Sequence, residues 1–229
     1  MNRLFLVRHG GSTANEDNSF YQYNDSAICL TTNGIRQALA SAGVLAEEGP
    51  LWLKPGNFDL EVFASEYTRA QQTARIALDQ MGLLSVQPQI RAVINERNYG
   101  TAYLSVMDSD PTFDGNDSES SVRARVRVRA FLAEIEPLLE RADVLAFSHM
   151  GTMRALIAEI LHLTDQDMMK TVIDNGAIFG FKRISKAGQA TYVRVALPDP
   201  VIPKNAPKIT EPPVAPPPNS QWSQMRRTK

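Results

Sequence analysis

The sequence predicts an α/β fold, with a sheet of buried strands sandwiched between helices. Three observations predict it. Leu4–Val7 and Val144–Phe147 are continuous apolar runs, the pattern of strands buried on both faces in a parallel sheet. Stretches of helical period, ten residues or longer, separate the strand-like segments. Both apolar runs also end in polar residues and glycine, Arg8-His9-Gly10-Gly11-Ser12-Thr13 and Ser148-His149-Met150-Gly151. Open α/β sheets bind ligands at that carboxyl end of their strands.

The elements follow in order. After the Leu4–Val7 strand, Ile35, Leu39, Ala42 and Leu45 space an amphipathic helix from Thr32 to about Glu48, with Thr31, Thr32 or Asn33 as cap and Gly49-Pro50 as breaker. Leu60–Ala64 reads as a short strand and Glu66–Met81 as the next helix, with Val86–Val93 as a further strand. Thr101–Ser121, rich in Asp, Ser and Gly, reads as a loop or irregular cap. Helical period returns over Val122–Arg141 through Val126, Phe131, Ile135 and Leu138. The Asp143–Ser148 strand leads into a helix over Met153–Leu163, and Gly176–Ile184 and Thr191–Leu197 alternate as late strands.

Beyond Leu197 the composition changes. Nine of the fourteen prolines lie between Pro198 and Lys229, and proline excludes helix interiors and central strands. The expected division is a catalytic domain over 1–197 and a flexible Pro-rich tail over 198–229. A ligand for a partner domain is the alternative role for the tail.

A formal net charge of −1 lacks the basic excess of a general nucleic-acid binder. One cysteine, Cys29, excludes an intramolecular disulfide framework and reads as core or semi-buried filler, with a reactive thiol as the alternative. No apolar run approaches the length needed to span a bilayer, and the amino-terminal run is too short for a signal peptide. The expected setting is cytoplasmic, with neither membrane nor nucleic acid as partner.

Three histidines are present, and His9 and His149 share one context, each directly after a strand with glycine close by. Parallel strands would bring both imidazoles to one sheet edge. His162, late in a helix, reads as structural. Arg8 adjoins His9, Arg69 lies early in the helix after Leu60–Ala64, and a guanidinium fork matches phosphate oxygens. Arg154 reads either way, as a site residue or as a structural one. Gly10-Gly11 offers N–H groups to an anion but lacks P-loop spacing and its lysine. Two arginines and two histidines make a phosphoryl pocket in which a ring nitrogen can carry the group transiently. Glu96 is the best acid for a leaving alkoxide and a base toward water. The histidines show no metal-ligand spacing, and the acidic stretch Asp108, Asp110, Asp114 and Asp117 lacks an EF-hand pattern. No metal or other cofactor is expected.

Leu6-Val7-Arg8-His9-Gly10 with Ser12 and Asn15, Leu30-Thr31-x-x-Gly34-x-x-Gln37-Ala38, Ala64-Ser65-x-x-x-Arg69-Ala70-x-Gln72-Thr73-Ala74, Glu96-Arg97-Asn98-Tyr99-Gly100, Ser118-Glu119-Ser120 and Ser148-His149-x-Gly151-x-x-Arg154 occur in this order. Together they resemble the histidine phosphatase, or phosphoglycerate mutase-like, superfamily over roughly residues 3–197. The resemblance implies a three-layer α/β/α sandwich with a mostly parallel central sheet. It implies His9 as phosphorylated nucleophile, Arg8, Arg69 and His149 around the phosphoryl oxygens, Glu96 as proton donor, and Asn15 and Ser12 toward the substrate. Gly11 departs from the family's usual Glu or Gln, and Met150 from its usual Gly. Met150 is expected either to shape the pocket or to fit against the neighbouring helix.

The expected activity is metal-independent hydrolysis of a small phosphomonoester. The absence of Lys and Arg from Thr101–Ser121 favours water as acceptor, whereas the mutase-like Glu96–Gly100 segment keeps a phosphoglycerate mutase-type transfer as an alternative. A noncatalytic phospholigand-binding or scaffold protein is the third reading. Oligomeric state is left open, a dimer among the options.

Overall fold

The computed structural model describes residues 3–16, 25–48, 60–99, 112, 118–186 and 189–201. The Gly49-Pro50 breaker, all of 101–117 but Thr112, and the Pro-rich residues from 202 onward lie outside them.

The chain forms strand β1 (Arg3–Arg8), helix α1 (Thr13–Glu16), α2 (Thr32–Glu48), β2 (Leu60–Ala64), α3 (Thr68–Gln80), β3 (Gln89–Ile90), α4 (Ser121–Ile135), β4 (Asp143–Ser148), α5 (Met150–Leu161), α6 (Asp165–Lys170), β5 (Ile178–Lys186) and β6 (Gln189–Val195). One six-stranded sheet runs in the order β3-β2-β4-β1-β5-β6. The first four are parallel; β5 runs antiparallel to β1, and β6 forms a hairpin with it. The register that matters most is Arg8 opposite Ser148, since it ends β1 and β4 level with each other.

Alternation along the central strands makes three layers. Leu4, Leu6, Val144, Ala146 and Phe63 face α4 and α5, where Phe131 packs edge-on to Phe63 at 5.3 Å between ring centroids. Phe5, Val7, Leu145, Phe147, Val62 and Ala64 face the opposite side, against Ala42 and Leu45 of α2 and Ala74, Ala77 and Leu78 of α3. Each fully buried side chain of this size stabilises the fold by roughly 1.5–3 kcal/mol. Two apolar faces per strand are what make the runs continuous in sequence.

Four expectations need correction. The predicted strand Val86–Val93 shrinks to Gln89–Ile90, paired with Phe63 and Ala64, and then turns into a 3₁₀ segment over Ala92–Ile94. Pro88 has no N–H to donate to a ladder. The helix read over Val122–Arg141 ends at Ile135, and a separate 3₁₀ turn follows Pro137. Its buried face is Ala124, Val128, Phe131 and Ile135, spaced 4, 3 and 4, which leaves Val126 on the far side and 58% exposed. The helix after His149 begins at Met150, not Met153, because an outside carboxylate satisfies its first turn. Among the described residues no helix is long and apolar enough to cross a membrane.

Candidate active site

The site grows from the level ends of β1 and β4. The His9 N–H donates to the Ser148 carbonyl at 3.0 Å, which continues the parallel ladder one residue past the strands. The two imidazoles then stand side by side, ring centroids 5.0 Å apart and tilted by 60°. Both are buried, at 2% exposure for His9 and 0% for His149.

His9 is held by a hydrogen bond between Nδ1 and the carbonyl of Gly10, at 2.7 Å. A carbonyl only accepts, so Nδ1 carries the proton and Nε2 keeps its lone pair. Arg69, fully buried in the first turn of α3, directs its Nε–H to that Nε2 at 3.2 Å and lies over the Tyr67 ring. Burial, then the charges of Arg69 and Arg8, hold His9 well below the ordinary value of 6.5, against a smaller raising effect of the Gly10 carbonyl. His149 is likewise held well below 6.5 by burial first, and then by Arg69, His9, Arg8 and Arg127. Both rings are neutral at physiological pH, so His9 offers a lone pair and not an imidazolium.

The loop after β1 is shaped by glycine, though not as the sequence suggested. The Gly10 N–H donates to Thr73 Oγ1 at 3.1 Å and the Gly11 N–H to Gln37 Oε1 at 2.7 Å, so both amides are engaged by side chains and not offered to an anion. The requirement for glycine is steric. A Cβ on Gly10 would lie 2.1 Å from the Gly34 carbonyl oxygen, and one on Gly34 only 1.8 Å from that of Gly11. The His9 loop and the first turn of α2 cross backbone against backbone.

Glu96 sits on the amino terminus of α5. Its Oε1 accepts from the N–H groups of Arg97 at 2.8 Å and Thr152 at 3.2 Å, and Oε2 from Gly151 at 3.4 Å. Unpaired N–H groups at the helix start thereby fix the position of the carboxyl. Gly151 makes the approach possible, because a Cβ would come within 2.7 Å of Glu96 Oε1 and 3.1 Å of the Tyr99 hydroxyl. Met150, half-buried, packs against the core on the α4–α5 side of the sheet, as a residue fitted against its neighbouring helices. A cavity of about 460 Å³ opens beside Glu96, lined also by Asn95, Asn98, Ser118, Glu119, Arg123 and Arg127.

On the other flank, Asn15 Oδ1 accepts from the Ser12 N–H at 3.0 Å and the Ser12 hydroxyl at 2.9 Å. Ser12 is buried and Asn15 exposed. The structure adds a segment that the sequence reading passed over. Asn175 Nδ2 donates to the His9 carbonyl and to Asn15 Oδ1, both at 3.2 Å, and Gly176, with φ +77°, donates its N–H to the same His9 carbonyl at 3.1 Å. Arg8 Nη1 donates to the Ile173 carbonyl at 2.6 Å, and Arg154 Nε to that of Thr171 at 2.7 Å. Arg154 thus anchors the approach to this turn. The Asn175-Gly176 dipeptide just ahead of a strand was the available signal. His162 caps α5 in the left-handed region, and Cys29 is half-buried, as the sequence suggested.

His9, Arg69 and His149 are therefore in one buried cluster, Arg8 is electrostatically coupled to it, and Glu96 is tied to the helix that starts beside His149. Ser12 and Asn15 reach His9 through Asn175, while Met150 turns toward the core.

Comparison with known proteins identifies the family. The model of the histidine phosphatase superfamily (branch 1) matches residues 4–194. The chain is 31% identical to the 2,3-bisphosphoglycerate-dependent phosphoglycerate mutase of Azorhizobium caulinodans, over 76% of this chain and 88% of that protein. To the enzyme of the same name from Xanthobacter autotrophicus it is 32% identical, over 78% and 90%. Among solved structures, mycobacterial hydrolase 1 superposes with a TM-score of 0.70 at 19% identity, over 86% of this chain and 98% of that one, a likeness of fold. With the family model spanning most of its length and the paired histidines at the ends of adjacent parallel strands, the chain belongs to the histidine phosphatase superfamily, in its phosphoglycerate mutase-like branch.

Proposed function

We propose that the chain transfers a phosphoryl group from a small phosphorylated metabolite to Nε2 of His9 and then passes it on. The observation that carries this reading is the His9 ring itself, with its proton committed to the Gly10 carbonyl and its lone pair beside the Arg69 guanidinium. In the first step Nε2 attacks phosphorus, the bond to the leaving oxygen breaks, and Glu96 in its acid form protonates that oxygen. Arg69, Arg8 and His149 face the charge on the transferring oxygens. In the second step an acceptor hydroxyl attacks the phosphohistidine, and Glu96 takes its proton. Ser12 and Asn15 orient the substrate from the other flank, and Met150 supports the wall from behind. No step needs a metal ion.

Two acceptors are in question, and the relatives favour an isomerising transfer. Both relatives are phosphoglycerate mutases, at about one third identity over three quarters of the chain. The second reading is hydrolysis, and it rests on Thr101–Ser121, which holds five Asp or Glu and no Lys or Arg.

One experiment separates the readings. The protein and its His9→Ala variant are incubated with 3-phosphoglycerate primed with 2,3-bisphosphoglycerate, and with a panel of sugar phosphates and nucleotides, and products are followed by ³¹P NMR. Isomer conversion identifies a mutase, and free phosphate a phosphatase. The variant should lose at least about a thousandfold of either activity. A variant as active as the wild type would sink the His9 reading, and an inactive but folded wild type would sink the enzyme.

A further inference from the structure

Ser65, at the end of β2, has so far no part in the chemistry. It is fully buried, its Oγ lies 2.7 Å from His149 Nε2, and that same oxygen accepts the Tyr67 N–H at 3.0 Å. A hydroxyl has one proton to give. The oxygen could accept a second hydrogen bond, but its own buried proton would then have no acceptor, because among the described residues the His149 Nε2 lone pair is the one acceptor beside it. We propose that Ser65 is a positioning residue that fixes His149 as the Nδ1–H tautomer, so that a neutral ring presents a hydrogen-bond donor to a phosphoryl oxygen.

The other ring nitrogen supports this assignment. Nδ1 of His149 is buried and, among the described residues, has no hydrogen-bond partner, although its ring stands 5.0 Å from that of His9. A buried polar nitrogen without a partner costs roughly 1–3 kcal/mol whichever role it has, and as a donor it is the one that an anionic ligand would satisfy. The charges of Arg69, Arg8 and Arg127 act on the ring, and the nearest carboxyl the site holds, Glu96, is bound to the N–H groups of Gly151 and Thr152. The three cations oppose a second proton on His149 and favour an anionic acceptor beside it. His9 and His149 thus have the same tautomer for opposite ends. A carbonyl holds the Nδ1 proton of His9 and leaves its Nε2 lone pair, beside Arg69, as the one to attack, whereas a hydroxyl occupies Nε2 of His149 and leaves its Nδ1–H to donate.

The inference rests on the phosphotransfer reading for its ligand, but the tautomer can be read without turnover. Protein labelled with ¹⁵N-histidine has three rings, assigned by loss of signals in His9→Ala and His162→Gln. The expected His149 spectrum has Nδ1 in the protonated, pyrrole-type range and Nε2 in the pyridine-type range. The reverse pattern in the wild type overturns the proposal. In Ser65→Ala, folded as judged by circular dichroism, Nε2–H should become populated, orthovanadate should bind roughly tenfold to a hundredfold more weakly, and kcat should fall more than KM rises. An unchanged spectrum with unchanged orthovanadate affinity in that variant also overturns it. A wild type with the expected spectrum but no phosphoryl transfer overturns the functional reading and leaves the tautomer assignment standing.

Discussion

At the scale of single residues, the neutral state of two buried histidines has a consequence for stability. Both rings are held well below 6.5 in the folded protein, with burial as the largest cause. The unfolded chain binds protons at these positions near the ordinary value, so below about pH 6.5 it holds more protons than the native state. Their contribution is therefore complete above that pH and is lost progressively as pH falls. The expected slope is about 1 kcal/mol per pH unit for each histidine. Urea unfolding between pH 7.5 and pH 5.5 should show it, and His149→Asn should flatten it; an equal slope in that variant would refute the assignment. His9, His149, Arg8 and Arg69 were legible in the sequence because the first three lie at or just beyond a strand end and Arg69 in the first turn of the helix after one, where topology decides what meets. The employment of the Gly10 and Gly11 amides was not, since Thr73 and Gln37 reach them from helices distant in sequence. Asn175 went unread for the same reason, because its value comes from the His9 carbonyl that only the folded chain brings near.

At the scale of elements, two glycines of α2 make a matched test. A methyl on Gly34 would collide with Gly11 backbone, its oxygen, carbon and nitrogen all within 2.8 Å, and backbone cannot swing aside as a side chain does. Gly34→Ala should cost about 1–3 kcal/mol or more and shift the loop that carries His9, lowering both melting temperature and phosphoryl transfer. A methyl on Gly43, in the same helix, would meet nothing within 4 Å, and Gly43→Ala should be neutral or stabilise by about 0.5–1 kcal/mol. Thermal melts of the two variants check this, and equal effects would contradict the crossing of loop and helix as its cause. Helices and central strands were readable because period and continuous burial leave a strong pattern. The short edge strand β3 was read in the right place but too long, since two paired residues leave almost no pattern to bound it. The helix α5 begins early because of Glu96, a partner more than fifty positions away that no local signal could announce.

At the scale of the molecule, we propose residues 1–197 as the catalytic unit. The described core extends from Leu4 to Phe181, with Leu197 packed at its margin. A chain ending at Val201 should keep its melting temperature and its phosphoryl transfer. A drop of several degrees, or loss of turnover, would show that the Pro-rich residues belong to the folded unit. The order of the strands has a further outcome. β1 is made first, yet its neighbours are β4 and β5, so Leu4 pairs with Val144 and with Phe181. Contacts of such long sequence separation form slowly, and an apolar strand awaiting its partners is exposed to wrong association. During synthesis the Leu4–Val7 strand therefore waits on the ribosome for most of the chain. The two imidazoles cannot meet until β4 has emerged, and a product stalled before then carries His9 with no pocket around it.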